Sequence, residues 1–250
     1  RRGASRAPDR SPVEDIGPEP VLPARWRFWP VLLVALASFL GANVVVVAAA
    51  VAFRIPIGRL DQLTPLHIAI LTVAQDVTLG LVLVLLLRVW PKVRSADLGM
   101  RSPVAVGIGV GAGALLWAAS LIIANIQASI VGAHPQGLVL AAASHRSVEA
   151  LILDLVFAAG LVAVVEELFF RAVLFGLLRQ RLPFAYAAVL SSVLFAVAHE
   201  IGAWIPVFML GVGLCWLYEK RHSLWTNALA HGTVNALSFL VLFALPNLGS

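Results

Sequence analysis

Three short patterns place ionisable side chains in otherwise apolar surroundings. The run V-V-E-E-L-F-F-R-A-V-L-F carries Glu166, Glu167 and Arg171. F-A-V-A-H-E carries Phe195 and His199, and H-G-T-V-N carries His231 and Asn235. On a helix advancing about 100° per residue, Glu167 and Arg171 share a face and can pair, whereas Glu166 points about 100° away from Glu167 and has no local partner. Phe195 and His199 are likewise one turn apart on one face, as are His231 and Asn235. A free carboxylate with an imidazole can take a proton from water, while a second imidazole and an amide can donate hydrogen bonds to the oxyanion formed on a peptide carbonyl. The inventory is that of amide hydrolysis.

Such groups are costly inside a bilayer, and the composition says that they lie there. Sixty per cent of the 250 residues are hydrophobic and 12% are charged, about half the charged fraction of a soluble domain. The mean hydropathy is +0.93. Seven apolar segments, 29–53, 65–89, 104–126, 148–178, 184–198, 204–218 and 223–245, mostly reach the ~20 residues that cross a bilayer as a helix. The expected fold is all-α, a polytopic transmembrane bundle of seven helices; an eighth, re-entrant piece is the alternative count. Three parts are expected: a basic, Pro-rich, disordered tail over 1–28, membrane helices one to three over 29–126, and a catalytic core of helices four to seven over 148–245.

Basic residues collect at alternate loops. Arg25 and Arg27, then Arg88, Lys92, Arg94 and Arg101, then Arg179 and Arg181, then Lys220 and Arg221 fall on one side, against Arg54, Arg59 and Arg146 on the other. The positive-inside rule then predicts a multi-pass protein of the cell membrane with a cytoplasmic N-terminus. The net charge of +5 follows from the same loops, and no nucleic-acid partner is expected. Cys215 is the single cysteine, which excludes an internal disulfide or a thiolate metal cluster. Trp26, Trp29, Trp90, Trp204, Trp216 and Trp225 lie near segment ends and read as interfacial anchors. Gly107, Gly109, Gly111 and Gly113 form two overlapping small-residue patterns that read as helix packing.

Other membrane proteolytic chemistries find no match. The histidine-glutamate pair at His199 continues as H-E-I-G-A and lacks the second histidine of a zinc H-E-x-x-H motif. Ser191 and Ser192 have no flanking glycine, and Asp76 and Asp154 have no motif around them. These two acids are read as lining a water path, with no catalytic role.

The ordered trio E-E-x-x-x-R, F-x-x-x-H and H-x-x-x-N on successive membrane helices resembles the signature of the CAAX protease and bacteriocin-processing family of intramembrane endopeptidases. The stretch D-L-G-M-R at 97–101 is similar to a connector in bacterial members. Ala172 stands where relatives commonly have glycine. The resemblance implies that Glu166 and His199 activate the water and that His231 and Asn235 form the oxyanion hole. Glu167 and Arg171 would hold the helix, with Phe195 packing beneath His199. It implies a peptide or membrane-protein substrate within the bilayer and no cofactor. Glu166, His199 and His231 are also zinc-ligand types, so a divalent metal such as zinc held by those three stays open. The competing function is a non-proteolytic scaffold or immunity protein that binds through the same polar cluster.

Overall fold

The computed structural model describes residues 26–56, 62–89, 93–132 and 147–244, all helix, turn or connector. Arg25, Arg59, Trp90, Lys92, Arg146 and nearly all of the predicted tail lie outside the described residues. Seven helices stand close to the seven apolar segments: α1 Phe28–Ala52, α2 Pro65–Val89, α3 Val106–Val131, α4 Val148–Arg179, α5 Phe184–Val197, α6 Trp204–Arg221 and α7 Leu224–Ala244. A helix satisfies its own backbone hydrogen bonds, which lipid cannot do for it. Six of the seven are long and apolar enough to cross a membrane. The exception is α5, with 14 residues. That is about 21 Å at 1.5 Å per residue, shorter than the ~30 Å hydrocarbon core.

Helix α4 is the axis of the bundle, touching α1, α2, α5, α6 and α7. Its course alternates between two hydrogen-bonding patterns. Leu155–Val162 and Glu167–Phe175 are π-helical, with N–H groups reaching back five residues rather than four. Every residue of Glu167–Phe175 is buried, which is why the second π stretch is surrounded by protein rather than lipid. Around this axis α1 packs on α2, α5 on α6, and α3 on both α6 and α7. The outer faces keep large apolar side chains exposed, such as Leu40 and Val44 on α1 and Leu115 and Ile122 on α3. Those are the faces a bilayer would cover.

Small residues let α7 lie close against α3 and α4. A Cβ at Gly109 would meet Leu229 and the Thr226 carbonyl at 3.0 Å, and one at Gly113 would collide with the Ala230 carbonyl. Gly107 and Gly111 face open space. Of the two overlapping patterns, only Gly109 to Gly113 seats α3 against α7. Gly232, beside His231, lies so near the Ala159 carbonyl of α4 that a Cβ there would also collide.

The connector 97–101 docks on the start of α7. Gly99 takes a left-handed φ of 66°, which glycine adopts without strain, and its carbonyl accepts from Leu224 N at 3.2 Å. Trp225 Nε1 donates to the Met100 carbonyl at 2.8 Å, Ser223 Oγ to the Pro103 carbonyl at 3.1 Å, and Ala105 N to Thr226 Oγ1 at 2.9 Å. The tryptophans divide. Trp29 and Trp216 are exposed, whereas Trp26 is buried at 4% and packs in the core, a correction to its reading as an anchor.

Candidate active site

Glu167, fully buried, is the hub. Its Oε1 lies 3.0 Å from Arg171 Nη1 and 2.9 Å from His231 Nδ1, and its Oε2 accepts from Asn227 Nδ2 at 2.7 Å. A buried carboxylate is tolerable only with such compensation, here one cation and two further donors. Asn227 also donates to the Leu214 carbonyl at 3.0 Å, so it ties α4, α6 and α7 together. The Arg171 guanidinium lies 4.1 Å from the centre of the Phe195 ring, a cation–π contact that adds to its pairing with Glu167.

The histidine partners settle which nitrogens face the site. An ionised carboxylate only accepts, so His231 donates its Nδ1–H to Glu167. Its Nε2 is left 3.6 Å from Glu166 Oε2. The two neighbouring glutamates thus hold opposite sides of one imidazole. His199 Nδ1 lies 2.8 Å from the Phe195 carbonyl; a carbonyl also only accepts, so Nδ1 is the donor there and Nε2 is the nitrogen left for the cavity. The Phe195 ring sits between the imidazoles, its centroid 4.8 Å from His199 and 5.8 Å from His231. Asn235 Nδ2 donates to the Ala158 carbonyl at 2.9 Å, within the first π stretch, and its second N–H stays available.

Glu166, His199, His231 and Asn235 all line one cavity of about 440 Å³. At 1.5 Å per residue from the predicted inside loops, their depths differ by up to about 13 Å, so helix tilt or a late start of the fifth segment would be needed for them to meet. In the structure His199 rides on the turn just past the end of α5 and lines the cavity with the other three. Asp76 and Asp154, read as lining a water path, lie on the same cavity wall.

Asn227 was missed by the sequence reading. Its one signal is its place four residues before His231, on the same helix face. Among the described residues no three His, Cys, Asp or Glu side chains come together as a metal-ligand set.

Residues 148–237 match the model of the family described as Rce1-like, type II CAAX prenyl endopeptidase Rce1-like. The matched span begins with α4 and ends inside α7, and so includes the whole motif trio. Two curated relatives overlap the chain in part. A Lactococcus lactis protein named "UPF0177 protein YxdF" is 35% identical over 77 residues, 30% of this chain and 42% of the relative. A Bacillus subtilis protein named "Putative membrane peptidase YdiL" is 29% identical over 83 residues, 33% of each. The chain thus spans less than half the length of the curated relatives it matches. No solved structure matches. The fold is that of a multi-pass α-helical membrane protein, and its segment 148–237 is similar to the CAAX-type endopeptidases. The motif trio and the family model point to the same family.

Proposed function

We propose that this chain is an intramembrane endopeptidase in which Glu166 and His199 activate a water molecule. The observation that carries the reading is the common cavity of Glu166, His199, His231 and Asn235. In this scheme the water oxygen adds to the peptide carbonyl carbon as its proton passes to Glu166, with the His199 Nε2 lone pair aligning the water. A positioned general base of this kind contributes ~10²–10⁴-fold to rate. The oxyanion is met by the free N–H of Asn235 and by His231 as an imidazolium, whose Nδ1–H stays on Glu167 while its Nε2–H donates into the cavity. Glu167, Arg171, Asn227 and Phe195 keep His231 in place from behind. These steps need no cofactor.

The substrate is a peptide or a membrane-protein segment entering the bundle. CAAX specificity is not part of the proposal. The positive-inside pattern supports a cell-membrane location with the N-terminus in the cytoplasm.

The test compares new protein N-termini in proteoliposomes or cells holding equal amounts of the wild-type chain or Glu166→Ala. Fragments formed only with the wild type are expected. Identical profiles from folded, membrane-inserted protein would overturn the proposal in favour of a scaffold or binding role.

A further inference from the structure

The family model covers 148–237, but the cavity does not stop there. Helix α2 forms part of its wall and contributes Gln75 and Asp76, while Asp154 comes from the first turns of α4. Asp76 is 6% exposed and has no hydrogen-bond or ion-pair partner among the described residues. With Glu166, three carboxyls therefore line one cavity, and no Lys or Arg is among its described lining residues. A buried carboxyl without a partner is expensive, and the only basic side chains among the described residues lining the cavity are His199 and His231.

The axial order of the acids can be read from packing. The Cβ position of Gly80 on α2 lies 3.2 Å from Val165 on α4. Residues preceding Gly80 line the cavity with residues preceding Val165, so the two helices run in the same direction. Asp76, one turn before Gly80, is about 6 Å above the level of Val165 and Glu166. Asp154 is higher still along the same wall. Asp76 thus lies between Asp154 and the reacting level.

We propose that Asp76 and Asp154 form an acidic subsite that receives a Lys or Arg side chain of the substrate, close in sequence to the bond cleaved beside Glu166. The inference rests on the endopeptidase reading for the word substrate; the cation preference of the subsite stands apart from it. An ammonium or guanidinium against Asp76 supplies the donors that side chain lacks, and Asp154, about 10 Å further along at 1.5 Å per residue, adds to the field that draws the cation in. Because an extended chain rises ~3.3 Å per residue, the basic residue lies within about five residues of the scissile bond, on a fixed side of it.

Two measurements on the full chain test this. Thermal unfolding in a neutral detergent is followed with octylammonium and, separately, with octanol. Octylammonium is expected to raise the wild-type midpoint above octanol, and the double variant Asp76→Asn with Asp154→Asn is expected to lose that difference. The Asp76→Glu with Asp154→Glu pair, which keeps the charges, is expected to restore it. The additive-free midpoints show that the variants fold. Equal effects of the two additives on wild type, or an undiminished difference in the folded Asn pair, would overturn the proposal.

The second measurement aligns the cleavage sites recovered from the wild type. A Lys or Arg enriched at one position near the cut, and lost from the sites cut by the Asn pair, is expected. Cleavage without any such position would overturn the proposal while leaving the endopeptidase reading intact. An ammonium preference without any cleavage would sink only the endopeptidase reading.

Discussion

His231 Nδ1 and Glu167 Oε1 meet at 2.9 Å across the α4–α7 interface, and both side chains are buried. The contact keeps an Nδ1–H on Glu167 and turns Nε2 to the cavity. The pair is the link between a structural ion pair behind the site and the reactive groups in front of it.

Glu167→Gln leaves Arg171 as a buried cation without its carboxylate. A loss of about 3–5 kcal/mol is expected, read as a lower unfolding midpoint in detergent. Adding Arg171→Met removes the orphaned charge, so the double variant should be the more stable of the two. Equal or lower stability of the double would show that Glu167 and Arg171 do not act as a pair.

Asn227→Ala removes a donor from Glu167 Oε2 and from the Leu214 carbonyl together. It should cost about 1–3 kcal/mol, the usual penalty for buried polar atoms left unpaired. Asn227→Asp should cost more, because it sets a second carboxylate against Glu167. The order of the two midpoints is the check.

The glycine positions of α3 predict an asymmetry. Gly113→Ala drives a methyl into the Ala230 carbonyl and should destabilise by about 1–3 kcal/mol. Gly111→Ala, which meets nothing within 4 Å, should be neutral or slightly stabilising, since alanine is the better helix former. A Gly111→Ala loss matching that of Gly113→Ala would reverse the assignment of faces.

Asn235→Ala is expected to lower kcat by about 10²–10³ with KM little changed, as for an oxyanion donor engaged mainly in the transition state. The substrate is one recovered from the N-terminal comparison. A rise in KM alone would move Asn235 to ground-state binding.

Cys215 is fully buried between helices. A water-soluble maleimide should leave it unmodified in the folded chain and modify it after denaturation. Rapid labelling of the native protein would contradict the packing of α6.

What the sequence made legible was local. Glu167 and Arg171 are four residues apart on one helix, and the predicted pairing is present at 3.0 Å. Segment positions were legible too, because an apolar stretch long enough for a bilayer is a coarse signal. Partners between helices were not. The two glutamates hold opposite sides of His231, and Asn227 supports one of them, through packing that no spacing rule contains. The same holds for the choice of Gly109 and Gly113 over Gly107 and Gly111, and for burial of Trp26. No proline marks the π stretches of α4 in the sequence. They occur where that helix is fitted against several neighbours at once.

The connector around Gly99 has a consequence in time. Its acceptor groups wait for Ser223, Leu224 and Trp225, more than 100 residues later in the chain. Helix α7, which follows the other described helices in order of synthesis, brings His231 and Asn235 with it. Until α7 leaves the ribosome and docks, Glu166 and His199 stand without either residue. The nascent chain therefore holds only half of the reactive set while it is being inserted, and the site is completed by the step that closes the bundle.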